Sequence, residues 1–211
     1  MGTDGTRIFL IRHGETEFNR MGVFRGRFEV ELNDVGLQQA RETAAALADK
    51  GIKFILTSPL KRAVVTAQVI SEALGAEYQT DESFNNIDLG DWQGVPKKKV
   101  QEDYPEQWKQ WTTRPEELVL PGGESVEDVR KRASGRLLEI LEADRGDFAL
   151  VTHRSVIKVL AADMLNVPPP YFWKFYIDNA AFSVFEYNSG DFTLLNWNSN
   201  SHLSVRVTEV F

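Results

Sequence analysis

Three short apolar runs punctuate this chain, and each is followed by residues with helical spacing. The runs are Ile8–Ile11, Phe54–Thr57 and Phe148–Val151. Short runs of this kind, bounded by polar positions, are typical of strands that are buried on both faces of a sheet. Alternation of such strands with helices predicts parallel βαβ units that carry helices on both faces of the sheet.

The helices are predicted from their start signals and apolar stripes. Asn33 and Ser58 are expected N-caps, the second with Pro59 at the first helical position. Ser125 and Asp128 have the spacing of a capping box. The predicted helices are 33–50, 58–74, one that begins at 125, and 155–165.

Two segments depart from this alternation. Residues 85–123 contain several tryptophans, prolines and glycines but few periodic apolar positions, and predict loops and short helices that form a lid-like insertion over one edge of the sheet. Phe182–Tyr187 and Phe192–Trp197 predict a closing hairpin. With no repeat and no linker, the 211 residues are expected to form one domain, 1–211.

Composition narrows the function classes. The net charge of -7 argues against nucleic-acid and anionic membrane partners, which need a basic surface. The chain contains no cysteine, which excludes disulfides, thiolate metal sites and cysteine nucleophiles and is compatible with the cytoplasmic location that we expect. Oligomeric state is left open, with a homodimer as one alternative.

The candidate chemistry begins where the first strand ends. Arg12 and His13 follow the run directly, Gly14 permits a sharp turn, and Asn19 lies six residues after His13. Arginine can donate two hydrogen bonds to a phosphate, asparagine can donate another, and a neutral imidazole can attack phosphorus.

A second histidine occupies the matching position on another predicted strand. His153 comes two residues after Phe148–Val151, as His13 comes two residues after Ile8–Ile11. If the two strands are parallel neighbours, both rings emerge at the carboxyl edge of the sheet, where sites form in such folds. Arg62, in the first turn of the helix after the Phe54–Thr57 strand, is expected to reach the same edge, whereas Lys61 is expected to face solvent.

These residues resemble the motifs of the histidine phosphatase superfamily, in its phosphoglycerate mutase-like branch. The resembling motifs, in order, are Leu10–Thr16 with Asn19, Thr57–Ala63 with Thr66-Ala67, Gly90–Gly94, Gly122–Ser125 and Val151–Arg154. The resemblance implies a three-layer α/β/α sandwich with a mostly parallel sheet and a covalent phosphohistidine intermediate.

The resemblance also implies roles. It carries the nucleophile to His13, phosphate binding to Arg12, Arg62 and Asn19, and the second pocket histidine to His153. Arg25-Gly26 falls at the family's phosphate-side loop, and Arg154 is a further candidate substrate contact. No metal and no other cofactor is implied.

One position departs from the family pattern. The family usually has a glutamate, acting as general acid, four residues before the glycine of its Gly-x-Trp motif, and here that position is Asn86. An amide cannot supply the proton, and Glu82, Asp88 and Asp91 are the flanking carboxylates. A general acid is worth roughly 10²–10⁴-fold in rate, so slow cleavage of alkyl phosphates is expected.

The predicted function is metal-independent phosphomonoester hydrolysis, of the histidine acid phosphatase type, on a small phosphorylated metabolite. Phosphoglycerate mutase is the enzymatic alternative, although residues 94–123 lack the arginine pair and the long insertion associated with cofactor-dependent mutases. A phospholigand-binding protein with impaired chemistry is the alternative from another class. His202, in the tail, is either a substrate contact or a surface residue, and the sequence leaves both open.

Overall fold

The computed structural model describes residues 5–206, which are built around one six-stranded sheet. The strands are β1 (Thr6–Arg12), β2 (Phe54–Thr57), β3 (Tyr78–Thr80), β4 (Phe148–Thr152), β5 (Phe182–Asn188) and β6 (Asp191–Ser199). Their order across the sheet is β3-β2-β4-β1-β5-β6. The first four are mutually parallel, and β5 and β6 form the antiparallel hairpin predicted from the sequence.

Seven α-helices accompany the sheet within the described residues. They are α1 (Glu17–Met21), α2 (Asp34–Leu47), α3 (Lys61–Leu74), α4 (Lys97–Asp103), α5 (Pro105–Thr113), α6 (Val126–Glu142) and α7 (Arg154–Met164). The predicted caps of two helices are confirmed: Asn33 accepts a hydrogen bond from Gly36 N at the start of α2, and Ser125 and Asp128 form a capping box on α6. Residues 85–123 hold short helices and loops, as predicted.

Alternate residues of each buried strand enter different cores. Ile8 and Leu10 of β1 pack with residues of α6 and α7, whereas Phe9 and Ile11 pack with residues of α2 and α3. Side chains of a strand point alternately to the two faces of its sheet, so each face of β1 supports its own layer of helices. The expected three-layer α/β/α sandwich with a mostly parallel sheet is therefore confirmed.

The prediction that Ser58 caps the third helix is wrong. Helix α3 begins at Lys61, with Leu60 at the cap position and no side-chain cap. The Ser58 side chain is fully buried, and its hydroxyl lies 2.7 Å from Nε2 of His153. The hydroxyl accepts a long hydrogen bond of 3.4 Å from the Leu60 N–H, and its shorter contact is the one to His153 across the strand ends.

Strand β3 was not predicted, because all three of its residues are exposed and it lacks an apolar run. It pairs with β2 through the register Ile55–Tyr78 to Thr57–Thr80 at the edge of the sheet. None of the helices formed by residues 5–206 is long and apolar enough to cross a membrane.

Candidate active site

Two histidines meet at the carboxyl edge of the sheet. Strands β1 and β4 are parallel neighbours in a register that pairs Arg12 with Thr152, so His13 and His153 follow at equivalent positions. The backbone N–H of His13 donates to the carbonyl of Thr152 at 3.0 Å. The two ring centroids are 5.1 Å apart, with the rings tilted by 59°.

His13 is held in one tautomer. Its Nδ1 lies 2.7 Å from the carbonyl oxygen of Gly14. Because a carbonyl can only accept, Nδ1 carries the proton, and the lone pair is on Nε2. Burial, followed by the positive charges of Arg62, Arg12 and Arg25, holds the pKa of His13 well below its ordinary value. The ring is therefore neutral near pH 7, with an unprotonated Nε2.

His153 is equally buried but has different partners. Its Nε2 contacts the Ser58 hydroxyl, and its Nδ1 has no hydrogen-bond partner among residues 5–206. Burial lowers the pKa of His153 well below the ordinary value, and the charge of Arg62 lowers it further. A bound phosphate dianion acts in the opposite direction, because a negative charge favours the protonated ring.

Arg62 is fully buried beside the two histidines and braces the loop that approaches them. Its guanidinium donates to the carbonyls of Gly26 at 2.8 Å and Phe28 at 2.9 Å. Burial, then the charge of Arg25, lowers its pKa to about 9, so it remains a cation near pH 7. The preceding Lys61 has a side chain that is 64% exposed and pairs with Glu31 at the surface.

Arg12 and Asn19 flank the turn after β1. Arg12 is buried and donates to the Ile177 carbonyl at 2.9 Å. Asn19 lies in α1, where its Oδ1 accepts hydrogen bonds from the backbone N–H and the hydroxyl of Thr16. The Asn19 Nδ2 is buried and has no partner within the described part of the chain, which leaves a donor for a ligand.

A cavity of about 290 Å³ opens over the histidines. The predicted site residues that line it include Arg12, His13, Arg25, Gly26, His153 and Arg154. Its apolar lining includes Phe24, Leu89, Trp108, Trp111, Phe172 and Trp173. The structure therefore joins a cationic, imidazole-bearing centre and an aromatic surface in one cavity.

Asn86 lies in the wall of this cavity. Its Nδ2 donates to the Gly26 carbonyl at 2.8 Å, and its Oδ1 accepts from the Ser155 hydroxyl at 2.7 Å. None of the described residues that line the cavity is an aspartate or a glutamate. An amide and a hydroxyl thus stand in this wall, where the sequence placed the departure from the family pattern.

The three flanking carboxylates lie outside the lining of the cavity. Glu82 accepts from the Asn85 amide at 3.1 Å. Asp88 accepts from the Gly90 N–H and lies 3.9 Å from the Arg27 guanidinium. Asp91 is exposed. None of the three is among the residues that line the cavity.

A polar network outside the cavity holds the Asn86 backbone. Arg27 and Arg132 both donate to the Asn86 carbonyl, at 3.2 Å and 3.1 Å, and both pair with Glu124. Burial acts to raise the pKa of Glu124, but hydrogen bonding and charge from Arg132 outweigh it and lower the pKa. The ionised carboxylate fixes both guanidinium groups and, through them, the Asn86 carbonyl.

The structure does not bring His202 to the cavity. Its Nε2 lies 3.1 Å from the Thr43 hydroxyl, and its ring stacks on Phe182 at 5.4 Å. Burial lowers its pKa. His202 is not among the residues that line the cavity, because it packs against Thr43 of α2 and Phe182 at the start of β5.

Sequence reasoning missed Ser58 and Ser155 as site residues. Ser58 follows β2, which pairs with β4 in a register of Thr57 with Val151. Ser58 therefore has the same strand-end position as His13 and His153, and that position is its signal in the sequence. Ser155 carries no comparable signal, because its role depends on meeting Asn86 across 69 residues of sequence. No cluster of three or more potential metal ligands is found among the described residues.

Comparison with known proteins agrees with this geometry. The chain matches the histidine phosphatase superfamily (branch 1) over residues 8–200. It is 32% identical to phosphoserine phosphatase 1 of Hydrogenobacter thermophilus, over 93% of this chain and 94% of that protein. It is 34% identical to phosphoglycerate mutase-like protein 4 of Arabidopsis thaliana, over 95% of this chain and 88% of that one.

A solved structure is similarly close. The mycobacterial glucosyl-3-phosphoglycerate phosphatase in complex with VO3 superposes with a TM-score of 0.85 at 29% identity, covering 92% of this chain and all of that one. With the family match spanning nearly the whole chain, this protein belongs to the histidine phosphatase superfamily, branch 1.

Proposed function

We propose that this protein is a metal-independent phosphomonoesterase that hydrolyses a small phosphorylated metabolite through a phosphohistidine at His13. The observation that carries the proposal is the state of His13: a buried, neutral imidazole whose Nδ1 proton is fixed by Gly14, leaving the Nε2 lone pair for attack. Named phosphatases among its relatives support the reaction type.

Binding and attack follow from the charges around this ring. Arg12, Arg62 and Asn19 are the donors proposed for the phosphate oxygens, and His153 completes the cationic set when the bound dianion raises its pKa. Charge-assisted donors aimed at a transferring phosphoryl group supply most of what this chemistry requires. Because protein cations supply the positive charge, no metal is needed in this mechanism.

The reaction has two steps. In the first, Nε2 of His13 forms a bond to phosphorus, and the electron pair of the ester bond departs with the leaving oxygen, which then takes a proton from solvent. In the second, water attacks phosphorus, the N–P electron pair returns to Nε2, and the proton of the water passes to solvent. Inorganic phosphate and the alcohol or phenol are the products.

The test is capture of the intermediate. Rapid acid and base quenching with ³²P-labelled p-nitrophenyl phosphate should trap an acid-labile, base-stable phosphoenzyme in the native protein but not in His13→Ala. His202→Ala, a histidine outside the cavity, is the matched control and should retain the label. A phosphoenzyme that persists in His13→Ala contradicts the assignment.

The same assay separates the alternatives. Transfer of the label to an added acceptor alcohol in place of release as inorganic phosphate indicates a mutase. Binding of p-nitrophenyl phosphate without any turnover indicates a phospholigand-binding protein, since p-nitrophenolate leaves without help from an acid.

A further inference from the structure

We propose that the substrate is an aryl phosphate, or an enol phosphate with an equally apolar body, and not an alkyl phosphate of a charged metabolite. This inference rests on the phosphatase chemistry proposed above and names the substrate class of the same cavity. Two independent observations carry it: which proton donors the cavity lacks, and what its wall is made of.

The first observation is the absence of a carboxyl acid. None of the described residues lining the cavity is Asp or Glu, and the wall holds the Asn86 amide, which pairs with the Ser155 hydroxyl. An amide and a hydroxyl can donate hydrogen bonds to a leaving oxygen, but neither releases its proton near pH 7. His153 also lines the cavity, but in the mechanism proposed above its protonated ring is engaged by the phosphoryl oxygens. No lining group is then left to protonate the leaving oxygen, which departs as an anion that is only hydrogen-bonded.

Leaving-group basicity then decides which esters react. When the P–O bond breaks, its electron pair stays on the departing oxygen. A phenol has a pKa of about 10, as in tyrosine. An alkyl alcohol is roughly as weak an acid as water, and therefore far weaker than a phenol. Without a donated proton, expulsion of the alkoxide carries the larger barrier, and aryl or enol oxygens are favoured.

The second observation is the aromatic wall. Trp111 lies edge-on to Trp173 at 5.6 Å between ring centroids, and both line the cavity with Trp108 and Phe172. Behind this wall the ammonium of buried Lys158 lies 4.7 Å from the Phe172 ring and 4.2 Å from the Trp173 ring. A cation held against two ring faces helps to fix their orientation.

Such a wall suits a flat, apolar body. An offset or edge contact between two aromatic rings contributes about 0.5–1.5 kcal/mol beyond the effect of the apolar area that it buries. The wall therefore favours a substrate that carries an aromatic ring. A substrate ammonium would enter a cavity whose described lining offers cations but no carboxylate to pair with it. The body of an amino-acid phosphate is therefore disfavoured by charge as well as by shape.

Four phosphomonoesters separate the effect of the leaving group from the effect of the substrate body. 1-Naphthyl phosphate has a good leaving group and an apolar body, and 1-naphthylmethyl phosphate has the same ring with a poor leaving group. Phosphoenolpyruvate has a good leaving group on a charged body, and phosphoserine has neither feature. We expect kcat/KM for 1-naphthyl phosphate to exceed that for 1-naphthylmethyl phosphate by at least ~100-fold, the lower value for a missing general acid. The value of kcat/KM for 1-naphthyl phosphate should also exceed that for phosphoenolpyruvate, which has no ring to contact the aromatic wall.

Paired variants test the cause. Asn86→Glu introduces a carboxyl acid, and Asn86→Gln introduces the same length without one. We expect Asn86→Glu to raise turnover of 1-naphthylmethyl phosphate at least ~10-fold over Asn86→Gln, a fraction of the full effect of a general acid. Trp108→Ala should raise KM for 1-naphthyl phosphate and leave KM for phosphoenolpyruvate within about twofold.

The outcomes are distinct. Comparable kcat/KM for the two naphthyl compounds, or efficient hydrolysis of phosphoserine, overturns the substrate class while leaving the phosphatase in place. Equal behaviour of Asn86→Glu and Asn86→Gln, in variants shown to be folded by circular dichroism, overturns the missing-acid argument. Absence of turnover with all four esters and with p-nitrophenyl phosphate overturns the proposed function itself.

Discussion

Gly36 packs so closely on Glu15 that a Cβ at Gly36 would overlap the Glu15 carbonyl oxygen and lie 2.7 Å from its backbone nitrogen. Gly36 belongs to the first turn of α2, and Glu15 lies two residues beyond His13. The helix start and the loop that carries the proposed nucleophile are thus in direct backbone contact. Only a residue without a side chain fits between them.

Gly36→Ala should therefore destabilise the protein and lower its activity together. Overpacking of a tight contact typically costs about 1–3 kcal/mol, and relief of the overlap displaces the loop that carries His13. Gly135→Ala is the matched control, because Gly135 lies in α6 with open space at its Cβ position. That control should stabilise by about 0.5–1 kcal/mol. Urea unfolding measures the stability of each variant, and kcat/KM measures its activity. If Gly36→Ala changes neither quantity, the loop accommodates the methyl group without affecting the site.

Arg62→Gln should lower kcat/KM far more than Lys61→Gln does. Arg62 is buried beside both histidines, whereas Lys61 forms an exposed pair with Glu31. Loss of one charge-assisted donor to the transferring group is expected to cost about 2.7–4 kcal/mol, by analogy with an oxyanion-hole donor. Steady-state kinetics on p-nitrophenyl phosphate, with thermal unfolding to confirm folding, gives the comparison. Equal, small losses would place Arg62 outside the phosphate site.

Stability should fall as the pH is lowered through the ordinary histidine pKa. Burial lowers the pKa of His13 and His153 in the folded protein, so below a pH of about 6.5 the unfolded chain binds protons that the folded protein does not. The contribution of the two histidines to the free energy of unfolding is therefore fully present above that pH. It declines below that pH, with a limiting slope of about 1.4 kcal/mol per pH unit for each histidine.

Urea titrations at pH 7.5 and 5.5 measure this decline. The double variant His13→Gln, His153→Gln should show a smaller loss over the same window, with His202 accounting for part of the remainder because burial lowers its pKa as well. An unchanged decline in the double variant would assign the pH dependence to other groups.

Activity should survive chelation and be inhibited by vanadate. The proposed site stabilises the phosphoryl group with arginine, histidine and asparagine side chains, and vanadate adopts the five-coordinate geometry of the transition state. Hydrolysis of p-nitrophenyl phosphate after dialysis against EDTA should equal that of the untreated protein. Loss of activity that Mg²⁺ or Mn²⁺ restores would contradict a metal-independent mechanism.

The buried centre was the most predictable part of this protein. The apolar runs before His13 and His153 identify central strands, because burial on both faces leaves no polar alternation, and parallel pairing then fixes where both histidines emerge. Exposed Tyr78–Thr80 gives no such signal, so that edge strand was missed.

Other parts of the site depend on contacts between distant residues. A serine before a proline is a common helix start, but the Ser58 hydroxyl meets His153 across the strand ends. His202 lies in a tail whose path is set by its packing on Thr43 and Phe182, and no local pattern encodes that contact. Likewise, Trp111 and Trp173 share a wall although 62 residues separate them.

The pairing of β1 with β4 has a consequence for how this protein can evolve. Separation of the two histidine rings follows from the ladder that joins neighbouring strands, which are about 4.8 Å apart in any sheet. The aromatic wall comes instead from helices and loops that the ladder does not constrain. Mutations in this wall can therefore change which substrate binds while the two histidines keep their positions. Duplicated genes that encode this fold can therefore diverge in substrate specificity while both histidines are retained.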